Sequence, residues 1–331
     1  MFKKFAGIIL VGFLWLLVLP ISAKAQSEND LTLMFGGDVM LGRAVRDQIV
    51  KRGNNNGAWV LENLAKSFKA ADFAFVNLES PFAPGPALGY SLVFRADPKH
   101  ISALTSAGFD AVSFANNHSR NQGNLGIQTT LDLLRKNKIK IVGAGLNSDA
   151  AYQAQYAEAK GQKIALLAFT YNEKTSNTFQ NRSTIAGLNT GRMKTEVKKA
   201  KASGALVIVS MHVGTEYTLK ITSQQKNFAR AAIDAGADLV IGQHPHWVQP
   251  VEKYKGKAII YSLGNLVFDQ PWSKETQEGA VAKVITSNGK ISKIQILPIK
   301  IDYAAKPRWM NPVEASRVLK RIGLAGGVIN L

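Results

Sequence analysis

The feature that most restricts the fold is a regular alternation of short apolar runs with longer amphipathic stretches. The runs predict strands at Leu31–Phe35, Phe73–Asn77, Ala111–Phe114, Lys140–Val142, Lys163–Phe169, Ala205–Met211, Ala237–Ile241, Ala258–Ser262, Ala280–Ile285 and Ile291–Pro298. The stretches between them predict helices at Ala44–Lys51, Ala58–Phe68, Pro98–Ala107, Leu125–Asn137, Gly191–Ala202 and Ser223–Ala235. Such alternation specifies an α/β protein with its sheet buried between helices. The later strands, with few helices among them, suggest a second sheet. Ser80–Tyr90, with Pro81, Pro84 and Pro86, and the polar stretch Asn172–Thr190 are expected to be loops. Apolar periodicity resumes on both sides of each, so neither reads as an interdomain linker. Residues 26–331 are expected to form a single domain, with a core at about 31–269 and C-terminal strands and a helix over 280–325.

Composition narrows the chemistry. At 46% hydrophobic and 19% charged residues, the chain is a folded protein and not a disordered or collagen-like polymer. It has no cysteine, which excludes disulfides, thiolate metal sites, a thiol nucleophile and a lipid-modified cysteine anchor. Any metal chemistry must use His, Asn and carboxylates. Lys and Arg total 41 against 23 Asp and Glu, a formal charge of +18. Lys3 and Lys4, the apolar run Phe5–Leu19, Pro20 and the small-x-small site Ala23-Lys24-Ala25 predict a signal peptide over residues 1–25 and an extracytoplasmic protein. The alternative is an uncleaved N-terminal membrane anchor. Cleavage would remove three lysines and leave +15. Outside the cytoplasm such a field favours an anionic envelope polymer, a phosphorylated carrier or anionic lipid head groups at a membrane surface. No base-reading motif or aromatic-interleaved basic stripe supports nucleic acid as a partner.

The reactive residues collect at predicted strand ends, where a rigid sheet holds short loops in register. The first strand runs into Gly36-Gly37-Asp38 and the second into Asn77-Leu78-Glu79. Others end in Asn116-Asn117-His118, in His212-Val213-Gly214 and in Gly242-Gln243-His244-Pro245-His246. Four of the five histidines, all but His100, fall at these ends. Singly, each residue has a bland reading: Asp38 and Asn117 fit turns, Glu79 a solvated loop acid, His212 a hydrogen-bonded core histidine. Together they point to a metal or catalytic site, because neutral imidazole is the commonest protein metal ligand and His244-Pro245-His246 sets two on neighbouring positions.

These motifs, with Gly37-Asp38-Val39-Met40-Leu41-Gly42-Arg43, Ala115-Asn116-Asn117-His118 and His212-Val213-Gly214-Thr215-Glu216-Tyr217, resemble the bacterial poly-gamma-glutamate capsule biosynthesis (CapA-type) family. Gly143-Ala144-Gly145, Ala235-Gly236-Ala237-Asp238 and Tyr261-Ser262-Leu263-Gly264-Asn265 extend the resemblance, which runs from about Leu31 to Asp269. The family looks like a branch of the calcineurin-type metallophosphoesterases. That resemblance implies two packed mixed β-sheets flanked by helices, an α/β/β/α sandwich, and a centre of one or two divalent ions (Mn, Zn, Fe or Mg) that activates water against phosphorus. Carried over, Asp38 and His246 would hold the first ion, Asn117, His212 and His244 the second, and Glu79 would bridge them. His118 would be the catalytic residue facing the substrate. Arg43, Arg95, Glu216 and Asn265 are further candidates for contacting it. The chain departs from the pattern at Met40, where a calcineurin-type enzyme has a ligand histidine, and at Glu79, which replaces an aspartate. It departs again at Val213, where the CapA-type pattern has Trp, and at Asn121, where it has Asp.

Two functions follow from these readings. One is a metal-dependent hydrolase acting on a phosphoester, or on an amide or ester, in an envelope polymer or its carrier. The other is a non-hydrolytic accessory protein that binds polyglutamate or another polyanion during export.

Overall fold

Nearly every residue of the first strand, β1 (Thr32–Val39), is buried, so this strand must be covered on both faces and flanked on both edges. The computed structural model describes residues 30–86, 88, 91–171 and 184–331. The expected signal peptide therefore lies outside the described residues, as do 87, 89 and 90 of the first expected loop and 172–183 of the second. Among the described residues no helix is long and apolar enough to cross a membrane.

After β1 the chain forms α1 (Arg43–Arg52), α2 (Glu62–Lys69), β2 (Phe73–Leu78), α3 (Ser102–Thr105), β3 (Ala111–Ser113), α4 (Gly123–Lys136) and β4 (Lys140–Val142). Next come β5 (Ala144–Gly145), α5 (Ser148–Tyr152), β6 (Gln155–Ala159), β7 (Gln162–Thr170) and β8 (Thr184–Ile185), which pairs with β5. The chain continues through α6 (Thr190–Ala202), β9 (Leu206–His212), α7 (Ser223–Ala235), β10 (Leu239–Gln243), β11 (Val251–Tyr254) and β12 (Lys257–Ile260). It ends with β13 (Asn265–Val267), β14 (Glu278–Ser287), β15 (Lys290–Ile301), β16 (Pro307–Trp309), α8 (Pro312–Arg321) and β17 (Val328–Asn330).

Two mixed sheets result. The first has the order β16-β15-β14-β1-β2-β3-β4, with β13 also on β1 and β17 on β15; the second has the order β11-β12-β10-β9-β7-β6. Strands β1 to β4 are parallel, as are β7, β9, β10 and β12, and these read as near-continuous apolar runs because both of their faces are covered. Side-chain alternation on β9 sorts the layers. Leu206 and Ile208 join the core shared with the first sheet, while Val207, Val209 and Met211 face the α6–α7 layer. Helices α2, α4 and α8 pack on the first sheet. The architecture is an α/β/β/α sandwich.

The last strands depart from expectation. They do not build the second sheet. Strand β14 pairs antiparallel with β1 from Thr32↔Ile285 to Phe35↔Ala282, on the edge that β2 leaves open, and β15 to β17 extend that same sheet. The second sheet comes instead from the middle of the chain. Two expected helices are also divided. Gly57–Leu61 is a 3-10 turn that precedes α2, because Leu61 at φ −110° and ψ 7° interrupts the α register, and Pro98–Ile101 is a 3-10 turn before the short α3. Helix α7 matches expectation at both ends: Thr222 and Gln225 form a capping box, and Gly236 closes it in the left-handed region at φ 117°.

Candidate metal centre

Five strand ends meet at one place. Asp38 lies within the last turn of β1 pairing, Glu79 follows β2, and Asn117 and His118 sit in the turn after β3. His212 ends β9, and His244 and His246 follow β10. The register of β1 against β2 slips between Phe35 and Asp38, which re-aims the aspartate. Two glycines make the approach sterically feasible. A β-carbon on Gly37 would stand 1.9 Å from the Gly264 carbonyl oxygen, and one on Gly242 would stand 1.9 Å from that of Tyr261. Only glycine fits there. Both strands thus press against a neighbouring segment just before they deliver Asp38 and His244.

The donors converge. Asn117 Oδ1 lies 2.9 Å from His212 Nε2, which lies 3.2 Å from His244 Nδ1. Ligands bonded to one divalent ion at about 2.0–2.2 Å stand roughly 3.0–3.5 Å from each other, and both separations lie close to that range, which direct hydrogen bonds also share. Glu79 Oε1 lies 3.8 Å from His118 Nε2, 3.9 Å from His212 Nε2 and 4.0 Å from His246 Nε2. Asp38 Oδ2 is 3.5 Å from His246 Nδ1. Asp38, Glu79 and His212 each offer one donor atom within a common 4.8 Å.

Electrostatics make the same point. Glu79 is fully buried and neither of its carboxylate oxygens receives a hydrogen bond. Burial, then the Asp38 and Glu216 carboxylates, push its pKa well above the ordinary carboxylate value. A carboxylate so placed must be either protonated or matched by a cation. Burial also lowers the imidazoles: His212 well below its ordinary value, His244 to about 3 and His118 to about 4. Neutral imidazoles and an unmatched carboxylate are what a divalent cation requires of its ligands. The residues present therefore fit one.

The backbone is strained at the same spot. His244 has φ 98°, His246 φ 58° and Tyr217 φ 59°, in the left-handed region that side chains other than glycine avoid. Strain of this kind is held where a site needs a particular aim.

Residues around the donors fix their orientation. Asn77 Nδ2 donates to Asp38 Oδ1 at 2.8 Å and lies 3.2 Å from His212 Nδ1, while Asn116 Nδ2 donates to Asn77 Oδ1 and to the Leu78 carbonyl. Asn121 Oδ1 accepts from the Phe94 amide at 2.7 Å and stands 2.8 Å from His118 Nδ1. This assigns the proton of His118 to Nδ1 and leaves the Nε2 lone pair facing Glu79. Phe94 stacks on His118 with centroids 3.7 Å apart and planes 17° apart, and Phe268 meets the edge of Phe94 at 5.8 Å and of His246 at 4.8 Å. Asn77 and Asn116 lie inside the motifs read from the sequence, but nothing local marks them as orienting groups. Phe94 carries no sequence signal, since it reaches His118 from another loop.

The expected substrate contacts divide. Glu216 is exposed at the rim. Asn265 is fully buried: its Nδ2 donates to Gln270 Oε1 and the Thr276 carbonyl, and its Oδ1 lies 2.9 Å from His246 Nδ1. It therefore orients His246 and does not face a substrate, a correction to the expectation. Arg43 is buried and ion-paired with Asp269, with its guanidinium 4.6 Å from the Phe94 ring centroid. Arg95 packs against Gly85. Met40 is fully buried and its sulfur accepts the Gly42 amide at 3.0 Å, so it supplies no donor to the cluster.

Fold and site together define a two-sheet α/β protein built around a buried set of oxygen and imidazole donors able to hold a divalent metal. The family model described as "Bacterial capsule synthesis protein PGA_cap" matches residues 32–270, and the chain belongs to that family. It is 31% identical over 286 residues to the "PGA biosynthesis protein CapA" of Bacillus subtilis (strain 168), covering 85% of this chain and 74% of the relative. It is 28% identical over 331 residues to the "Capsule biosynthesis protein CapA" of Bacillus anthracis, covering 96% and 79%. Among solved structures, a novel phosphatase of Mycoplasma pneumoniae aligns over 88% of this chain and 97% of its own at 18% identity, with a TM-score of 0.47. That alignment is too distant to carry a functional argument.

Proposed function

We propose that this protein is a metal-dependent phosphoester hydrolase that acts outside the cytoplasm, on an anionic envelope polymer or its phosphorylated carrier, in the assembly of a capsule or related exopolymer. The observation that carries the reading is Glu79: a buried carboxylate with no hydrogen-bond donor, at the focus of three imidazole Nε2 atoms. Asp38, Glu79, Asn117, His212, His244 and His246 would hold one or two divalent ions, and the oxygen and imidazole donor set suits Mn, Zn, Fe or Mg. A cation there supplies Lewis acidity and neutralises charge developing on a phosphoryl group. The chain's own residues do the rest. Asn265 Oδ1 accepts from His246 Nδ1 and so leaves Nε2 of that ring free, while Phe94 and Phe268 pack against His118 and His246. His118, its Nδ1 proton engaged by Asn121, presents Nε2 as a nitrogen through which a proton can pass between water and the leaving oxygen. The relatives' names place them in capsule or PGA biosynthesis, which supports an envelope substrate and extracytoplasmic location.

A second reading, the polyanion-binding accessory protein, is favoured by Met40, which occupies the place of a ligand histidine, and by the charge of +18. The test is turnover of methyl phosphate and of a phosphodiester by the purified protein with Mn, Zn or Mg added. Metal-dependent hydrolysis supports the first reading. Polyglutamate affinity without hydrolysis supports the second.

A further inference from the structure

The mouth of the centre carries two exposed aromatic rings that the donor geometry does not use. Tyr217 is 39% exposed and Trp272 is 55% exposed. Their rings meet at 80° with centroids 6.1 Å apart, and Tyr217 lies 24° from parallel to the His246 imidazole at 5.9 Å. Tyr217 thus stands between Trp272 and a metal-ligand candidate, and the two rings, set nearly at right angles, are both partly open to solvent. Large aromatic rings left in solvent mark a recognition surface more often than chance.

This corner is held rigidly. Tyr217 keeps its left-handed backbone through its amide, which donates to the Pro245 carbonyl at 2.9 Å. The segment bearing Trp272 is closed by Thr276, whose hydroxyl donates to the Gln270 carbonyl at 2.6 Å and whose amide donates to Ser273 Oγ at 3.1 Å. Gln270 in turn accepts from Asn265, the residue that orients His246. The rings are therefore wired to the same network as the metal-ligand candidate beneath them.

We propose that the Tyr217–Trp272 corner binds a sugar ring carried by the phosphoester substrate, so that the protein acts on glycosyl or sugar phosphates. This rests on the phosphoester reading of the same site. Two rings at right angles cannot sandwich a flat nucleobase between parallel faces. A puckered pyranose offers C–H groups in two directions and fills such a corner. Glu216, exposed beside Tyr217, offers carboxylate oxygens that accept sugar hydroxyls.

The experiment measures the affinity of the wild type, Trp272→Ala and Trp272→Phe for four probes: glucosyl phosphate, inorganic phosphate, adenylate and methyl glucoside. The expected result is that Trp272→Ala lowers the preference for glucosyl phosphate over inorganic phosphate on the order of tenfold, while Trp272→Phe restores most of it. Losses that are equal for glucosyl and inorganic phosphate, or larger for adenylate, would overturn the proposal. Methyl glucoside separates it from the reading beneath it. If glucoside binding depends on Trp272 while inorganic phosphate does not bind, the sugar corner stands and the phosphoester reading fails.

Discussion

At Glu79 two requirements oppose each other: a buried carboxylate without donors destabilises the metal-free protein, yet the same lack of donors leaves both oxygens to a cation. Glu79→Gln is therefore expected to raise the melting temperature of the chelator-treated protein, by the equivalent of about 1 kcal/mol or more. Added divalent metal should then stabilise the wild type by mass action but not the variant. Calorimetry with and without metal checks both, and a variant less stable than the metal-free wild type would contradict the account. His118 predicts the opposite pattern. With its Nε2 facing the reaction and its neighbour Asn117 supplying the ligand, as proposed, His118→Ala should keep its metal while turnover falls by about 10²–10⁴-fold, least for substrates with good leaving groups. Loss of metal from that variant would refute the assignment. The convergence of these side chains was legible because each sits where an apolar run stops, a position that the sheet's rigidity explains. Their orienting partners were not. Asn265 engages His246, and Phe94 stacks on His118, through contacts that no local spacing encodes.

Among elements, the second sheet is tied together by one acid. Asp238, just before β10, accepts from the Val207 amide at 3.0 Å, from Lys201 of α6 at 2.6 Å and from Lys257 of β12 at 2.7 Å. Burial raises its pKa, but the two ammonium groups and the amide together outweigh burial and hold it below the ordinary carboxylate value. The folded state thus binds fewer protons than the unfolded one. The stabilisation is complete above the unfolded carboxylate pKa, near 4, and is lost as pH falls through the lower folded value. Asp238→Asn should cost about 1–2 kcal/mol at neutral pH once the partly exposed lysines are discounted for screening. The difference should shrink in acid, and denaturant titrations at neutral and low pH would show it; an equal difference at both would exclude the ionic account. The core strands were legible because parallel strands covered on both faces are continuous apolar runs. Strands β11 and β6, at the edges of the second sheet, were not, because alternating polar residues there resemble loops. The sheet that β14 joins was also hidden, since the sequence does not say which edge of β1 stays open.

For the whole molecule, the charge of +18 and the buried donor set act at different ranges. A general basic field is screened beyond about 8–10 Å in ordinary salt, whereas a coordinated ion in a buried centre is not. The fold class and the meeting of these residues were legible together because both depend on one arrangement: two sheets whose strand ends present Asp38, Glu79, Asn117, His212, His244 and His246 to each other. Elemental analysis of the purified protein tests that arrangement most directly. One or two equivalents of divalent metal are expected in the wild type, with a clear loss in folded His244→Ala and His246→Ala. Metal-free wild type after supply of Mn, Zn, Fe and Mg, or unchanged stoichiometry in both variants, would contradict it.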